Sequence, residues 1–446
     1  MLIKNQDELI DNGTTPYFKK AREDLIKIFN EIIKSVNPKN SVEKVVDCEK
    51  ISINDEEYYF KNYENIFLVA FGKASIGMSQ AIIDNAAIKE GVIITNEDIN
   101  DKQHDNIQFF KGGHPIPNQN SIKGAEKAIE IIEKCNENDL LIVLISGGGS
   151  ALLCKPRIEL SEMKETTDLL LRSGADIKEI NTIRKHLSYV KGGQLIKHVK
   201  FQVISLIISD IIDDPIEFIA SGPTYPDSTT FSDAKNILEK YEIWHEIPDS
   251  ARNIIKSGMN KEISETLKPD NKIFDKIKNK IVANNKIACS SAINYAKKKG
   301  YNTILLTTRI DGEARDIGKY LADKTKNSEA FGKTMFISAG ETTVTIKGNG
   351  KGGRNQELTL NTIEPLRDTK ILFSSFATDG VDGNSDAAGA IIDGESYNKS
   401  KKLGLDYKLY LEDNNSYEFF KNLNDLIFTG PTGTNVMDIQ IIIKIN

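Results

Sequence analysis

The segment LLIVLISGGGSALL, residues 140–153, decides the fold class of this chain. Its first six residues are all apolar, which is typical of a strand buried on both faces of a parallel sheet. Small and polar residues follow at once, and then an apolar run that opens a helix. A buried strand that passes through a glycine-rich turn into a helix predicts an α/β fold.

Short apolar runs alternate with helical stretches on both sides of this segment, and a polar segment at residues 244–280 divides them into two series. We predict strands at residues 66–71, 92–95, 140–145, 203–209, 280–284, 303–307, 335–338, 342–347, 371–377, 426–429 and 439–445. Two α/β domains follow, a Rossmann-like one at residues 1–245 and another at residues 246–446. We expect mostly parallel sheets with helices on both faces, and a last strand that could return to the first domain.

The composition excludes several classes of protein. Of the 446 residues, 58 are Lys or Arg and 64 are Asp or Glu, so the net charge is −6 and gives no basic surface for nucleic acid. The four cysteines have no C-x-x-C spacing, so neither a zinc ribbon nor a redox pair is indicated. No run approaches the roughly 20 apolar residues of a membrane span. Lys4, Asp7 and Glu8 stand where a secretory signal needs apolar residues. We expect a cytoplasmic protein that binds neither nucleic acid nor membrane.

Lys73 lies directly after a predicted buried strand, in the sequence Phe71-Gly72-Lys73-Ala74-Ser75. A lysine between small residues at a strand exit, beside the start of a helix, can bind an anion. A solvated surface lysine is the alternative interpretation.

Ser146, Gly147, Gly148, Gly149 and Ser150 leave the backbone N–H groups uncovered by bulky side chains. Such a loop at the start of a helix predicts phosphate binding, and a tight polar turn is the alternative. No G-K-[ST] follows, so the loop is not a Walker A motif.

Asp210 follows the predicted strand at residues 203–209, at the edge of the sheet where ligands bind. A carboxylate in that place suits a Mg²⁺ ion held partly by water, or a general base. Asp213 and Asp214 come soon afterwards and fit helix capping better than chemistry.

The segment GNGKGGRNQE, residues 348–357, carries three glycines in the G-x-G-x-x-G spacing of dinucleotide-binding proteins. Its context does not fit, because Asp368 comes before the next strand and not at its end. A flexible loop that delivers Arg354 to phosphate oxygens is the better interpretation. Glu341 and Asn355 flank this loop and are candidate nucleotide-binding residues.

Asp379, Asp382 and Asp386 lie in TDGVDGNSDAAG, residues 378–389, directly after a predicted strand. Three carboxylates and three glycines in that place suggest a metal–phosphate or hydroxyl site, although the D-x-x-D spacing also fits ordinary turns. Together with Asp210 they form the predicted set of metal ligands, and Asp379 is also a candidate nucleotide ligand. Residues 429–435 could be a further site loop or a hairpin between the last two strands.

Two histidines, His114 and His186, are possible site residues, although structural roles fit their surroundings equally well. His186 belongs to a predicted helix at residues 180–188. The basic face of that helix, followed by Lys191, could hold an acidic substrate.

The order of these motifs resembles the glycerate 2-kinase family, the type II glycerate kinases with a C-terminal MOFRL domain. The matching runs cover nearly the whole chain from about residue 66. They are FGKAS (71–75), GGHPIPN (112–118), LISGGGSALL (144–153), GADIKEINTIRKHLSYVKGGQL (174–195), SDIIDDP (209–215), IASGPTYPDSTTF (219–231), GEARDIG (312–318), AGETTVTIKGNGKGGRNQE (339–357), ATDGVDGNSDAAGA (377–390) and TGPTGTNVMD (429–438). The family often carries Asn or Asp where Met437 stands.

The resemblance implies ATP-dependent phosphorylation of D-glycerate at its 2-hydroxyl, giving 2-phosphoglycerate and ADP, with the site in the cleft between the domains. Lys73 and Arg354 match the family's proposed catalytic pair, and we add Asp210 to them. The implied ligands are ATP, D-glycerate and Mg²⁺ or another divalent cation, and a homodimer is a possible assembly.

Two other functions remain open on the sequence. An NAD(P)-dependent hydroxypyruvate reductase, a label that relatives of this family have carried, needs a dinucleotide fingerprint early in a βαβ unit and a catalytic His with an acidic partner. Neither is present in convincing form. A non-catalytic nucleotide-binding regulator would need the glycine loops but neither Lys73 nor Arg354.

Overall fold

The computed structural model describes residues 2–445, which form two units. The parallel-sheet unit consists of residues 41–209 and 214–282, and the mixed-sheet unit of residues 2–40, 210–213 and 283–445. This division differs from the boundary expected between residues 245 and 246. The N-terminal helices belong with the C-terminal half of the chain, and the polar segment at residues 244–280 belongs with the first unit.

The parallel-sheet unit contains the strands expected for an α/β fold. They are β1 (Lys50–Ile53), β2 (Glu56–Tyr59), β3 (Ile66–Phe71), β4 (Ile88–Thr95), β5 (Ile107–Lys111), β6 (Leu140–Ile145), β7 (Gln202–Ile208) and β8 (Ile277–Ala283). The main sheet has the order β5-β4-β3-β6-β7-β8, and β3 pairs in parallel with β4 and β6. Strands β4 and β5, and β6 and β7, are also parallel. Every residue of β3 and β6 is buried, which confirms the prediction from their continuous apolar runs.

Helices connect these strands and supply a second apolar core. Their bounds are Ser75–Asn85, Gln119–Lys134, Gly149–Leu152, Leu160–Arg172, Ile177–His186, Phe231–Lys240 and Asp249–Met259, with 3₁₀ turns at Phe60–Asn62, Gln194–Ile196, Ile219–Ser221 and Lys272–Lys276. The helix Pro38–Glu43 spans the division between the units. Trp244, Ala251 and Ile255 are buried against Leu170 and Leu238, so the polar segment is part of a folded core.

The mixed-sheet unit is built on strands that mostly run antiparallel. They are β9 (Asn302–Ile310), β10 (Lys333–Gly340), β11 (Ile371–Ala377), β12 (Gly389–Asp393), β13 (Leu426–Ile427) and β14 (Asp438–Ile445), in the order β13-β12-β11-β14-β10-β9. Only the pairing of β9 with β10 is parallel among these neighbours. The expectation of a mostly parallel sheet is therefore wrong here. The chain returns from β11 to β12 without the helical crossover that parallel neighbours require.

One local prediction for this unit also fails, and one of two alternatives for another segment is excluded. Residues 342–347 form no strand, although Thr343 makes one isolated bridge with Glu313. Residues 429–435 do not form a hairpin, because β12 and β11 lie between β13 and β14 in the sheet.

The N-terminal helices pack on the rest of the mixed-sheet unit through buried polar contacts as well as apolar side chains. The helices of this unit are Gln6–Asp11, Pro16–Ser35, Asn285–Lys298, Ala314–Lys326, Arg354–Leu360, Ser396–Lys402, Tyr407–Glu412 and Ser416–Leu423. Arg22 forms ion pairs of 2.7 Å with Asp393 and 2.6 Å with Asp425, and all three side chains are buried. The Tyr301 hydroxyl donates to Asp24 over 2.8 Å. Among residues 2–445, no helix is long and apolar enough to cross a membrane.

Candidate functional site

Lys73 and the glycine loop, residues 146–150, meet at the carboxyl edge of the parallel sheet. Phe71 and Ile145 are register partners at the ends of β3 and β6, so the residues that follow them lie side by side. The Lys73 N–H donates to the Gly147 carbonyl over 2.9 Å. The Ala74 N–H donates to the Ser146 hydroxyl over 3.0 Å. The structure thus brings together two motifs that the sequence singled out separately.

The glycine loop is held in a tight turn by a hydrogen bond within the loop. The Gly149 N–H donates to the Ser146 carbonyl over 3.2 Å, and the following helix, Gly149–Leu152, is a single turn. Ser146 is buried and holds Ala74, and the Ser150 hydroxyl lies 2.8 Å from that of Ser221. Ser146 and Gly149 therefore shape the loop, which leaves fewer groups for a ligand than the sequence predicts.

Gly148 is the position at which this loop comes closest to other candidate groups. Its φ is +79°, and a Cβ atom there would lie 2.8 Å from Cδ2 of His114 and 3.3 Å from Cγ of Lys73. Burial, and then the charge of Lys73, lowers the pKa of His114. A neutral His114 beside a cationic Lys73 is consistent with a place for one anion at this edge.

Substitution of Gly148 tests whether the loop contributes to nucleotide binding. We expect Gly148→Ala to raise the KM for ATP on the order of tenfold or more, because the new methyl group must displace His114 or Lys73. Gly174→Ala is the matched control, since Gly174 has a φ of +81° and no atom within 4 Å of the added Cβ. Steady-state kinetics with varied ATP measures the effect. Equal KM values in the two variants would remove the loop from the nucleotide site.

Arg354 is the first residue of the helix Arg354–Leu360 in the mixed-sheet unit, and Asp382 caps that helix. The Asp382 carboxylate accepts the N–H groups of Asn355 and Gln356 at 3.1 and 2.9 Å, and both side-chain amides as well. Burial, and then the charge of Asp438, raises the pKa of Asp382 to about 6. The structure gives Asp382 the role of a helix cap in place of the predicted metal ligand, because protein donors already occupy both of its oxygens.

The guanidinium of Arg354 is fixed by two acidic side chains. Its Nε and Nη2 donate to Asp438 over 2.5 and 3.0 Å, and its Nη1 lies 2.7 Å from Glu341. Burial alone would lower the pKa of Arg354, but the hydrogen bond and charge of Asp438, followed by the charges of Glu341 and Asp382, raise it. The group is therefore a permanent cation, and about a third of its side chain is exposed.

Asp438 is the residue of this arrangement that the sequence interpretation missed. It is the first residue of β14, which runs antiparallel to β10 and β11, and it is the register partner of both Gly340 and Ala377. The start of β14 therefore lies at the edge where β10 and β11 end, beside Glu341. Its position directly before an apolar strand was a visible signal, but the sequence does not show that this strand runs antiparallel to its neighbours.

Further carboxylates gather around Glu341. Burial raises the pKa of Glu341, Arg354 lowers it, and the charges of Asp438, Asp210 and Asp379 raise it again. Asp210 and Asp379 thus lie within electrostatic range of Glu341 in the mixed-sheet unit, while Asp386 lies 3.2 Å from Lys351. Asn355 is buried between Asp382 and Ser375, so its side chain supports the helix cap, and its assignment to nucleotide binding stays a prediction.

Asp210 and Asp379 are the two carboxylates of the predicted set of Mg²⁺ ligands that lie near Glu341. In the part of the chain that the structure describes, no three His, Cys, Asp or Glu side chains have a geometry that could hold a metal. Mg²⁺ usually takes one or two carboxylates and completes its shell with water and substrate phosphates. Two carboxylates near Glu341 match that number of protein ligands.

Comparison with known proteins defines the class first. Residues 24–256 match the model of a domain of unknown function, DUF4147, and residues 334–438 match the MOFRL family. A "glycerate 2-kinase" of Pyrococcus horikoshii is 43% identical, over 95% of this chain and 97% of the relative. A "putative hydroxypyruvate reductase" of Agrobacterium vitis is 35% identical, over 95% and 94%.

A solved structure agrees with the match in sequence. The crystal structure of a glycerate kinase from Thermotoga maritima superposes with a TM-score of 0.85 at 36% identity, covering 96% of this chain and all of that one. The chain belongs to the glycerate 2-kinase family, with its DUF4147 and MOFRL regions. This confirms the resemblance found in the motifs and the two-unit α/β architecture.

Proposed function

We propose that this chain is an ATP-dependent kinase that transfers the γ-phosphoryl group to the 2-hydroxyl of D-glycerate, giving 2-phosphoglycerate and ADP. The observation that carries the proposal is the partly exposed guanidinium of Arg354. The buried Asp438 holds it, and it lies beside Glu341. The relatives of this chain that are named glycerate 2-kinase and glycerate kinase support the choice of substrate.

Phosphoryl transfer needs positioning and positive charge more than covalent chemistry by the protein. Asp438 holds two of the donor positions of Arg354 in one plane, so the guanidinium is oriented before substrate arrives. We assign Arg354 and Lys73 to the charge that develops on the transferred phosphoryl group. ATP supplies that group when it is bound.

Carboxylates and glycines have complementary roles in this proposal. Asp379 and Asp210 are placed to hold a nucleotide-bound Mg²⁺, directly or through water, and Asp210 is also the candidate base for the 2-hydroxyl. Glu341 orients Arg354 and lies beside the nucleotide, and the backbone of the glycine loop approaches a phosphate. The substrates are soluble metabolites, which favours a cytoplasmic enzyme, and a homodimer stays a prediction.

The experiment that tests the function separates it from the named alternative. Purified protein is given D-glycerate with MgATP in an ADP-coupled assay, and hydroxypyruvate with NADH or NADPH in a second assay. We expect turnover only in the first, with 2-phosphoglycerate identified as the product by its reaction with enolase. Reductase activity without ADP formation would refute the proposal, and binding of ATP without either reaction would favour a regulator.

The requirement for a divalent cation can be tested on the same enzyme. We expect EDTA to abolish turnover and Mg²⁺ or Mn²⁺ to restore it, because the carboxylates near Glu341 repel a bare triphosphate. Asp379→Asn should raise the Mg²⁺ concentration needed for half-maximal rate. Asp368→Asn should leave it unchanged, since Asp368 pairs with Arg367 at the surface. Full activity without divalent ions would contradict the assignment.

A further inference from the structure

Two cationic side chains, Arg184 and Lys191, converge on the carbonyl oxygen of Ser150 in the glycine loop. The Lys191 ammonium donates to it over 2.6 Å and to the Leu153 carbonyl over 3.3 Å. Nη2 of Arg184 donates to the same Ser150 oxygen over 3.3 Å. Lys191 is only 1% exposed. Two basic side chains therefore hold the same backbone oxygen of the glycine loop.

The neighbouring basic residues are neutralised, whereas these two are not. Lys185 lies 2.9 Å from Glu217 and 3.2 Å from Asp227. His186 lies 3.2 Å from Glu265. Arg184, from the same helix, forms no ion pair within residues 2–445, and neither does Lys191. The basic face expected from the sequence thus divides into a paired part, which serves the fold, and an unpaired part, which faces the glycine loop.

Leaving two such charges uncompensated is costly, because burial removes the water that would solvate them. The lowered pKa values of both groups reflect this cost of burial. Burial, and then the charge of Arg184, lowers the pKa of Lys191 to about 7, and burial also lowers the pKa of Arg184. A bound anion would relieve both. Basic groups that burial perturbs in this way, beside a loop at the edge of a sheet, are candidates for a ligand site.

We propose that Arg184 binds an oxyanion group of a reactant at the glycine loop, with Lys191 as the positioning residue that holds the Ser150 carbonyl and adds positive charge. The guanidinium has donors beyond the one given to Ser150, and its planar fork matches the paired oxygens of a carboxylate or a phosphate. The inference rests on the proposed function and deepens it. The oxyanion is either the carboxylate of the hydroxy acid or a phosphate of the nucleotide.

Binding measurements on single variants decide between these two sources. Calorimetric titrations of the full chain with D-glycerate, with ADP and with inorganic phosphate are compared for the wild type, Arg184→Gln and Arg184→Lys. We expect Arg184→Gln to weaken one ligand about 10- to 100-fold, as for a lost charged hydrogen bond, and Arg184→Lys to weaken it less. Loss confined to D-glycerate identifies the carboxylate, and loss confined to ADP identifies the phosphate.

A matched control and a second readout keep the test decisive. Arg172→Gln removes an exposed arginine of the same unit and should change none of the three titrations. Affinities for all three probes within twofold of the wild type in folded Arg184→Gln would overturn the proposal. If that variant does not fold, modification of Arg184 by phenylglyoxal in the wild type is followed by peptide mass spectrometry. Protection by D-glycerate or ADP supports the subsite, and protection by neither overturns it.

The two proposals fail in different ways. A wild-type protein that makes no 2-phosphoglycerate, but whose binding of inorganic phosphate is lost in Arg184→Gln, contradicts the kinase assignment and leaves the subsite standing. An active wild type with unchanged binding in Arg184→Gln contradicts the subsite alone.

Discussion

Arg354→Ala should lower kcat for D-glycerate by roughly 10³–10⁵, the range that arginine fingers contribute to phosphoryl transfer. The loss should fall on kcat more than on the KM of either substrate, because the charge that Arg354 meets develops in the transition state. Arg354→Lys should recover only part of the rate. An ammonium cannot donate to both oxygens of Asp438 in the planar arrangement that orients the guanidinium.

A surface arginine of the same unit provides the control for this variant. Arg367 pairs with the exposed Asp368, and Arg367→Ala should retain the wild-type kcat. Circular dichroism of both variants checks folding. A kcat for Arg354→Ala within about threefold of the wild type would refute the catalytic assignment.

The double variant with Lys73→Ala examines whether the two cations act as one catalytic unit. If they stabilise the same charge, the double variant should lose far less transition-state free energy than the sum of the two single losses. Full additivity would show that the two cations act independently, and a normal kcat in Lys73→Ala would show that Lys73 has no part in the transfer.

Removing Arg22 should destabilise the mixed-sheet unit by about 3–5 kcal/mol. Arg22→Met leaves Asp393 and Asp425 as neighbouring buried carboxylates without their cation, and one oxygen of Asp425 already has no hydrogen-bond partner. Loss of a buried ion-pair partner costs far more than loss of an exposed one. Lys19→Ala, which breaks the exposed pair with Asp11, should therefore change stability by less than about 1 kcal/mol.

Because the chain has two units, a single unfolding transition cannot be assumed. The effect is measured by hydrogen exchange of the amides in β11, a strand of the mixed-sheet unit that is buried at every residue. Adding Asp393→Asn and Asp425→Asn to Arg22→Met should recover part of the loss by removing the unpaired charges. Equal exchange rates in Arg22→Met and the wild type would contradict the role given to this cluster.

The parts of the fold that the sequence predicted well are those with a local cause. Strands β3 and β6 begin and end where their continuous apolar runs do, and β11 has the predicted bounds although two serines interrupt its apolar residues. The order of the mixed sheet could not be obtained in that way, because antiparallel neighbours are chosen by contacts far apart in sequence. The N-terminal helix had a clear apolar stripe, but nothing in its pattern says which sheet the stripe covers.

The candidate site shows the same division between local and distant causes. Lys73 and the glycine loop were predictable, because both follow buried strands that turned out to be neighbours. Asp382 resembled a metal ligand in a D-x-x-D pattern, whereas its oxygens cap the helix of Arg354. Met437, where the family often has Asn or Asp, has a φ of +70°, a conformation that those two residues tolerate better.

The position of β14 in the sheet has a consequence for how the protein is made. It is the last strand of the chain, yet it lies between β10 and β11 and pairs with both. During synthesis the residues of the parallel-sheet unit are all translated once residue 282 is reached, whereas the N-terminal helices pack on a sheet that also needs β14, Asp438–Ile445. Until β14 has been translated, we expect a chaperone to bind the apolar stripe of these helices. We expect a chain that stops before residue 438 to contain a folded parallel-sheet unit and a mixed-sheet unit without the strand between β10 and β11.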